Sequence, residues 1–328
     1  MTVTIATLPP QIQQRYNAKL LSTPEHNLIH MLFATPVELP DNNGFIDRQS
    51  RYDRLDLFEV PLDDAQNNPP PQQLNRVDVD CRVRVYATYI VLTRQVTITN
   101  EDPVLNSAAA RLGQSLRETQ DALQRDNLES SASIINCVGG HNGDIPTDMA
   151  ITDVDDVFTI LQNNSGEYIT NIVEADLKFG TSPIGDAYGC MLTSRMIPVL
   201  YNMSGFVKKF QYPRIDQTLS TEIGGANNIR FFISEQGSVT PNASLLGNDI
   251  ANCFVAAKEA YKVVWQAGGK ARFIYLPPGY NNDPCMLRHT AGCSFYQGQC
   301  INSVVHFKFS LIDSEVRQDD EAQALLAA

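Results

Sequence analysis

Arg76-Val77-Asp78-Val79-Asp80-Cys81-Arg82-Val83-Arg84-Val85 is the stretch whose reading decides the fold. Apolar and charged residues alternate strictly, the period-two signature of a strand with one buried face. The pattern continues through Tyr89-Ile90-Val91-Leu92 and Val96-Thr97-Ile98, now apolar on both faces, which predicts entry into a body of protein. Asn100-Glu101-Asp102-Pro103 then predicts a helix start, with Asp102 as cap and Pro103 where its missing N–H costs nothing. Leu105, Ala109, Leu112, Leu116 and Leu123 recur at helical spacing, while Arg117, Asp121 and Arg125 fall four apart, as on a solvated face with paired charges. A helix of about 26 residues, roughly 39 Å long, follows. Strand feeding directly into long helix is the spine of the chain.

Outward from this spine, the preceding residues suggest the other leg of a hairpin. Leu39-Pro40-Asp41-Asn42-Asn43-Gly44 is a turn cluster, and Phe45–Leu62 is extended and rich in Arg and Asp. Asp63-Asp64-Ala65-Gln66-Asn67-Asn68-Pro69-Pro70-Pro71 forms a polar tip, and its three prolines favour polyproline II over helix or ladder. Two readings stand: a long hairpin lying on another surface, since an isolated one is marginal in water, or an ordinary surface hairpin. Residues 1–40 read as an arm of two short helices, one lined by Ile12, Tyr16 and Leu20, the other opened by Thr23-Pro24-Glu25 and carrying Leu28, Met31 and Leu32.

Beyond the spine, Gly139-Gly140-His141-Asn142-Gly143 marks a candidate boundary. A mixed α/β segment follows, with a helix from Thr152 through Leu161 and another from Pro183 through Leu200. Strands are predicted at 229–233, 253–257, 261–265 and 272–276, and a half-buried one at Val305–Leu311. The tail from Asp313 is acidic.

Composition narrows the function. With 328 residues, about two domains are expected. Twenty-five basic residues against 37 acidic ones, a net charge of -12, argue against nucleic-acid binding as the main task. No apolar run approaches membrane-span length and the N-terminus carries no signal-peptide pattern, so cytoplasmic residence is expected. The seven cysteines show no Cys-x-x-Cys spacing and read as reduced, uncoordinated thiols.

No catalytic constellation emerges. There is no phosphate-binding loop and no G-x-S-x-G elbow. His26 and His30 are four apart on a predicted helix without a third ligand, and Asp153-Val154-Asp155-Asp156 lacks the Gly and Glu of a calcium loop, which leaves first-turn acids favoured by the helix dipole. His289, His306 and Asp283 are not tied together by any motif. No catalytic residue, cofactor or metal site is expected.

Four stretches, in order, resemble the major capsid proteins of tailed double-stranded DNA phages, specifically the N-four-like podovirus coat protein family. They are Tyr16–Leu21 through Leu39-Pro40 to Gly44; Tyr86–Thr93 with Asp102–Leu105, Leu112-Gly113 and Glu118–Leu123; Phe210-Gln211-Tyr212 with Glu222–Gly225 and Ile229-Arg230-Phe231; and Asp283-Pro284 with Val304–Leu311. The chain departs from the family in Gly292-Cys293-Ser294-Phe295-Tyr296, where Gly-Trp-Lys is expected, and in its length and proline-rich tip.

The resemblance implies an α+β, Hong Kong-type capsid fold. Its parts would be an N-terminal arm (1–39), an extended loop (40–98), a peripheral domain with the spine helix (99–134), an axial domain (135–284), and return strands with the tail (285–328). It implies a virion shell of self-associating pentamers and hexamers, assembled in host cytoplasm, with a portal partner, room for scaffolding or decoration proteins, packaged DNA nearby without sequence-specific binding, and no membrane. Inter-subunit contacts are expected from Arg48, Arg51 and Arg54 against Asp63, Asp64 or the acids of 313–321, and from the Pro69, Pro70, Pro71 tip. An encapsulin-like cargo shell, a cytosolic α/β enzyme using His289, Asp283 or Cys285, and a tail or baseplate component are the alternatives.

Overall fold

Alternation over Val77–Val85 does become strand, but in two pieces. In the computed structural model, β1 (Thr35–Leu39) is followed by β2 (Ile46–Tyr52), β3 (Arg76–Arg82) and β4 (Arg84–Thr93). The structure describes residues 26–59, 71–95, 104–130, 134–137, 148–169, 187–211, 220–242, 249–269, 271–279, 283–302 and 307–312. The expected helix at 12–20, the Asp102-Pro103 cap, strand 96–98, the glycine-rich boundary at 139–143, His306 and the acidic tail lie outside these residues.

The spine helix α1 runs Val104–Glu129, 26 residues. Its buried face differs from the expected one. Asp121 is fully buried, and its carboxylate accepts hydrogen bonds from His30 Nδ1 at 2.7 Å and the Met31 backbone N–H at 3.1 Å. Arg125 is bonded to Asp126 and to the Gln236 carbonyl. A row of charges four apart thus includes a buried position, because a short, hydrogen-bonded segment of chain seats on that face. That segment, His30–Phe33, is turn rather than the expected helix. Tyr261 donates to the His30 carbonyl at 2.8 Å and fixes it further.

After β5 (Ile134–Asn136), α2 (Ile151–Asn163) starts one residue before the expected cap. Asp153, buried in the first turn, accepts the Ala150 N–H at 2.9 Å and so stands in for Thr152. Val154, Val157 and Leu161 bury one stripe of α2. The helix expected over 183–200 is instead β6 (Tyr188–Thr193) followed by the short α3 (Ile197–Asn202). All six residues of β6 are buried, so both faces are apolar and no alternation betrays the strand.

The remaining strands are β7 (Val207–Lys208), β8 (Glu222–Ala226), β9 (Ile229–Ser234), β10 (Val239–Thr240) and β11 (Ile250–Ala256). With β15 (Phe307–Ile312) they build an eight-stranded sheet ordered β5-β15-β11-β6-β9-β8-β7, with β10 on β11. Asn227 and Asn228, both at positive φ, close the two-residue turn between β8 and β9, where asparagine tolerates the left-handed conformation. Tyr188, Phe231, Leu192, Met196, Leu200 and Val255 meet the α2 stripe in the main core.

Strands β12 (Tyr261–Gln266), β13 (Arg272–Leu276) and β14 (Arg288–Ile301) complete the set. β14, 14 residues long, is a strand that sequence patterning missed. Its serine, glycines, glutamines and cysteines follow no clean alternation. The chain divides into two compact units. The described part of the first holds 87–95, 104–116, 272–279 and 283–294; here β13 pairs with Thr290–Ser294, and Cys293 Sγ–H approaches the Leu112 carbonyl. β4 was expected to be buried on both faces, yet Tyr89 is 69% exposed and Val91 is exposed too. The second unit holds the eight-stranded sheet, the hairpin, and β12 pairing with β1 in parallel and with Gln297–Ile301 antiparallel.

Gly298 marks a close approach in this second unit: a Cβ there would lie 2.9 Å from the Arg82 carbonyl oxygen and 3.2 Å from the Val83 nitrogen. Both are backbone atoms that cannot rotate aside. Gly298→Ala therefore destabilises the chain by about 1–3 kcal/mol, measured as a lower urea midpoint; an unchanged midpoint would show that the two strands separate freely.

Candidate functional site: the hairpin and its root

β2 and β3 pair antiparallel from Ile46↔Arg82 to Tyr52↔Arg76. Alternation places Val77, Val79 and Cys81 on one face and Arg76, Asp78, Asp80 and Arg82 on the exposed other. Burial deepens toward the root, where Cys81 and Val83 are closed off from solvent. The Val83 N–H donates to the Phe45 carbonyl at 2.8 Å and extends the ladder there.

Arg48 and Asp80 are opposed in register, and the guanidinium chelates the carboxylate, Nε–Oδ1 2.6 Å and Nη2–Oδ2 2.7 Å. The Arg48 hydrogen bond holds the Asp80 carboxyl below its usual range; Asp78 is lowered by the Ser50 hydroxyl and by Arg76. Within the chain, cross-strand register thus gives Arg48 a carboxylate partner of its own. Arg51 Nη1 points toward the Asn302 carbonyl at 3.5 Å. Arg54 and Pro71 line an open cleft at the distal end, with Leu55, Leu57, Phe58 and Gln72. Asp63, Asp64, Pro69 and Pro70 lie outside the described residues.

Past Tyr52 the legs stay together through the Asp53 N–H to the Asn75 carbonyl, 3.0 Å, and Gln72 Nε2 to the Asp56 carbonyl, 2.9 Å. Here Leu57 is 82% exposed and Phe58 92%. These two apolar side chains were missed by the sequence reading, which weighed Phe45–Leu62 as a charged leg. Two adjacent large apolar side chains thus stand open to water beyond the paired strands.

The root is built differently. Asp47 is opposed to Cys81 across β2 and β3, and Lys262 is opposed to Cys300 across β12 and β14. The Lys262 side chain is 1% exposed, and its ammonium lies 2.9 Å from Asp47 Oδ2, with Asp47 17% exposed. Leu39, Cys81, Val83, Val264 and Cys300 close an apolar cluster beside the ion pair. A buried charge and a small core therefore fasten the hairpin to β12 and β14.

The residues considered for chemistry are engaged locally. His289 Nδ1 shares a hydrogen bond with the Tyr275 hydroxyl at 2.8 Å, and Asp283 accepts the Arg288 N–H at 2.7 Å. Cys285 is exposed. His26 bonds Glu235 at 2.6 Å, whereas His30 faces Asp121, so the two histidines do not converge. Among the described residues no cluster of three metal-ligating side chains occurs, and no helix is long and apolar enough to cross a membrane.

No protein-family model matches the sequence, and no curated protein matches it either. Solved structures do. The capsid of Ralstonia phage GP4 superposes with a TM-score of 0.65 at 10% identity, covering 94% of this chain and 98% of that one. The head structure of Helicobacter pylori bacteriophage KHP40 gives 0.65 at 9% identity, covering 96% and 98%. The capsid of cyanophage P-SCSP1u gives 0.58 at 11%, covering 92% and 93%. The chain has the Hong Kong-type capsid fold. It is α+β, as the sequence implied, and this fold accounts for nearly the whole length. At such identities the likeness extends to the fold alone, so the hairpin's chemistry rests on its own geometry.

Two measurements test that geometry. Asp47→Ala strands the Lys262 ammonium and costs about 3–5 kcal/mol in urea unfolding, whereas Asp47→Leu with Lys262→Met recovers most of the loss; equal losses in both would remove the ion pair from the account. On the exposed face, folded Asp78 and Asp80 titrate low. Their pairing contributes above the ordinary carboxylate range and is lost as pH falls through the lowered values. Arg48→Gln should return Asp80 upward in a carboxyl NMR titration; an unmoved Asp80 contradicts the chelate.

Proposed function

We propose that this chain is the major capsid protein of a tailed double-stranded DNA phage, assembling through pentamers and hexamers into the icosahedral head. The observation that carries the reading is the extent of the match: the fold shared with phage capsids takes in 94–96% of this chain and 98% of two of those chains. On this reading 40–98 is the extended loop, 99–134 and 285–328 form the peripheral domain and tail, and 135–284 is the axial domain. Within that role, the four-stretch resemblance is what supports reading the chain as an N-four-like coat protein. The protein acts as a structural component of the virion, assembled in the host cytoplasm and associated with a portal.

The hairpin supplies the assembly logic. Closed symmetry gives each protruding element a neighbour to lie on, and exposed apolar residues such as Leu57 and Phe58 gain by being covered there. On the same reading Arg51, Arg54, Asp63, Asp64 and the 69–71 prolines are further contacts of the extended loop. Single exposed ion pairs contribute about 0–1 kcal/mol, so the shell closes through many weak, repeated contacts.

Negative-stain electron microscopy of the chain expressed alone and with its neighbouring genes tests the proposal. Closed shells or pentamer and hexamer rings are expected, and nucleic acid inside separates a virion head from a cargo compartment. A small discrete oligomer under every condition contradicts the reading. Leu57→Ser with Phe58→Ser, or deletion of 67–73, should weaken assembly while leaving the unfolding free energy from urea titration within about 0.5 kcal/mol; normal shells from both variants would take the contact role from the tip.

A further inference from the structure

All seven cysteines are free thiols, and six are buried. Cys137, Cys190 and Cys253 sit in the main core, where burial raises their thiols and keeps them inert. Cys81 and Cys300 are different. They come from sequence positions 219 residues apart and meet in the apolar cluster at the hairpin root, with Leu39, Val83 and Val264 around them. The strands that carry them are pressed together, as the approach of Gly298 to the Arg82 carbonyl requires. Each is opposed in register to one member of the Asp47–Lys262 ion pair, so a buried ammonium lies beside the two sulfurs.

We infer that Cys81 and Cys300 form a redox-sensitive latch, reduced when the chain folds and convertible by a small peroxide into a disulfide that joins the hairpin root covalently to β14. The roles of the two sulfurs follow from their surroundings. The neighbouring Cys81 thiol, aided by the Lys262 ammonium, holds the Cys300 thiol below its usual range despite burial; Cys81 is pushed up by Cys300 and by burial. Cys300, the less buried of the two thiols and the one opposed to Lys262 in register, is the attacking sulfur, and Cys81 the resolving one.

The chemistry balances with hydrogen peroxide as the oxidant. Cys300 thiolate attacks one peroxide oxygen, the O–O bond breaks, and hydroxide leaves and takes up the thiol proton as water. The resulting sulfenic acid is attacked by Cys81: the S–S bond forms, the S–O bond breaks, and a second water carries off the Cys81 proton. Two thiols are oxidised and one peroxide is reduced to two waters. Oxidation after release from a reducing cytoplasm would fix the hairpin at its base, a consequence that rests on the capsid reading; the thiol chemistry does not.

Peptide mapping of the full chain tests the latch. A Cys285→Ser background removes the exposed competitor. The folded, reduced protein is treated with hydrogen peroxide, its remaining thiols are alkylated, and it is digested without reductant by trypsin and chymotrypsin, which cut at Arg82 and at Tyr296 and so separate Cys300 from Cys293. The expected product is the Val77–Arg82 peptide linked to the one bearing Cys300, two hydrogens lighter than the sum and reversed by dithiothreitol. The oxidised chain should have a higher urea midpoint than the reduced one. In a Cys81→Ala variant Cys300 should stop at the sulfenic acid and be trapped by dimedone. Wild-type-like folding with Cys81 and Cys300 both fully alkylated after peroxide, or Cys300 joined to Cys293 instead, would overturn the inference. Shells seen by microscopy from chains with both thiols still reduced after peroxide would overturn the latch and leave the capsid reading standing.

Discussion

A lysine ammonium taken out of water must find an anion, and Lys262 finds it in Asp47, the second residue of β2. Desolvating both groups cancels much of their attraction, so the pair is a poor source of net stability. Its value is positional. An apolar patch would accept the hairpin root in several registers, whereas an unpaired buried ammonium is costly in every register but one. Leu39, Val83 and Val264 then supply the apolar burial beside it. A two-stranded ribbon is marginal alone, and outside the root its exposed face offers only solvated pairs such as Arg48–Asp80. The distal residues, Leu57 and Phe58 among them, are carried by that root.

The same rule, one buried charge with defined partners, recurs at His30 and Asp121. There a carboxylate inside α1 gathers an imidazole and a backbone N–H from a turn 90 residues earlier in the chain. Both sites put a polar specification inside apolar surroundings, which fixes how segments distant in sequence meet. Among the described residues the same commitment holds elsewhere: buried Glu222 lies against Arg230, and buried Asp153 accepts the Ala150 N–H.

What could be read in the sequence follows from these arrangements. β3 was legible because one of its faces is wet, so Val77, Val79 and Cys81 stand apart from Arg76, Asp78 and Asp80. β9, β11, β12 and β13 were legible from short runs of β-branched and aromatic residues. β6 was read as helix because it is buried on both faces, and an apolar run without alternation fits either period. β14 was missed since Gly292 and Gly298 are set by close backbone approach, not by patterning. Asp121 was assigned to solvent because charges four apart look alike whether or not a distant segment covers one of them. At the site, the hairpin and the Arg48 face were visible, but the root was not. Nothing in the neighbourhood of Lys262 announces that Asp47, 215 residues away, will meet it.

The charge balance gains a physical meaning once partners are known. Arg76 is paired with Asp78, Arg125 with Asp126, Arg230 with Glu222, Lys258 with Glu167, and Lys262 with Asp47. Basic side chains tied to carboxylates in this way do not gather into the clustered positive face that phosphate binding requires, and the surplus of acid leaves the chain at -12. For an enzyme acting on nucleic acid that distribution would be a handicap. On the capsid reading proposed above, the same distribution would be an advantage, because a negative wall repels packed DNA and captures none of it locally.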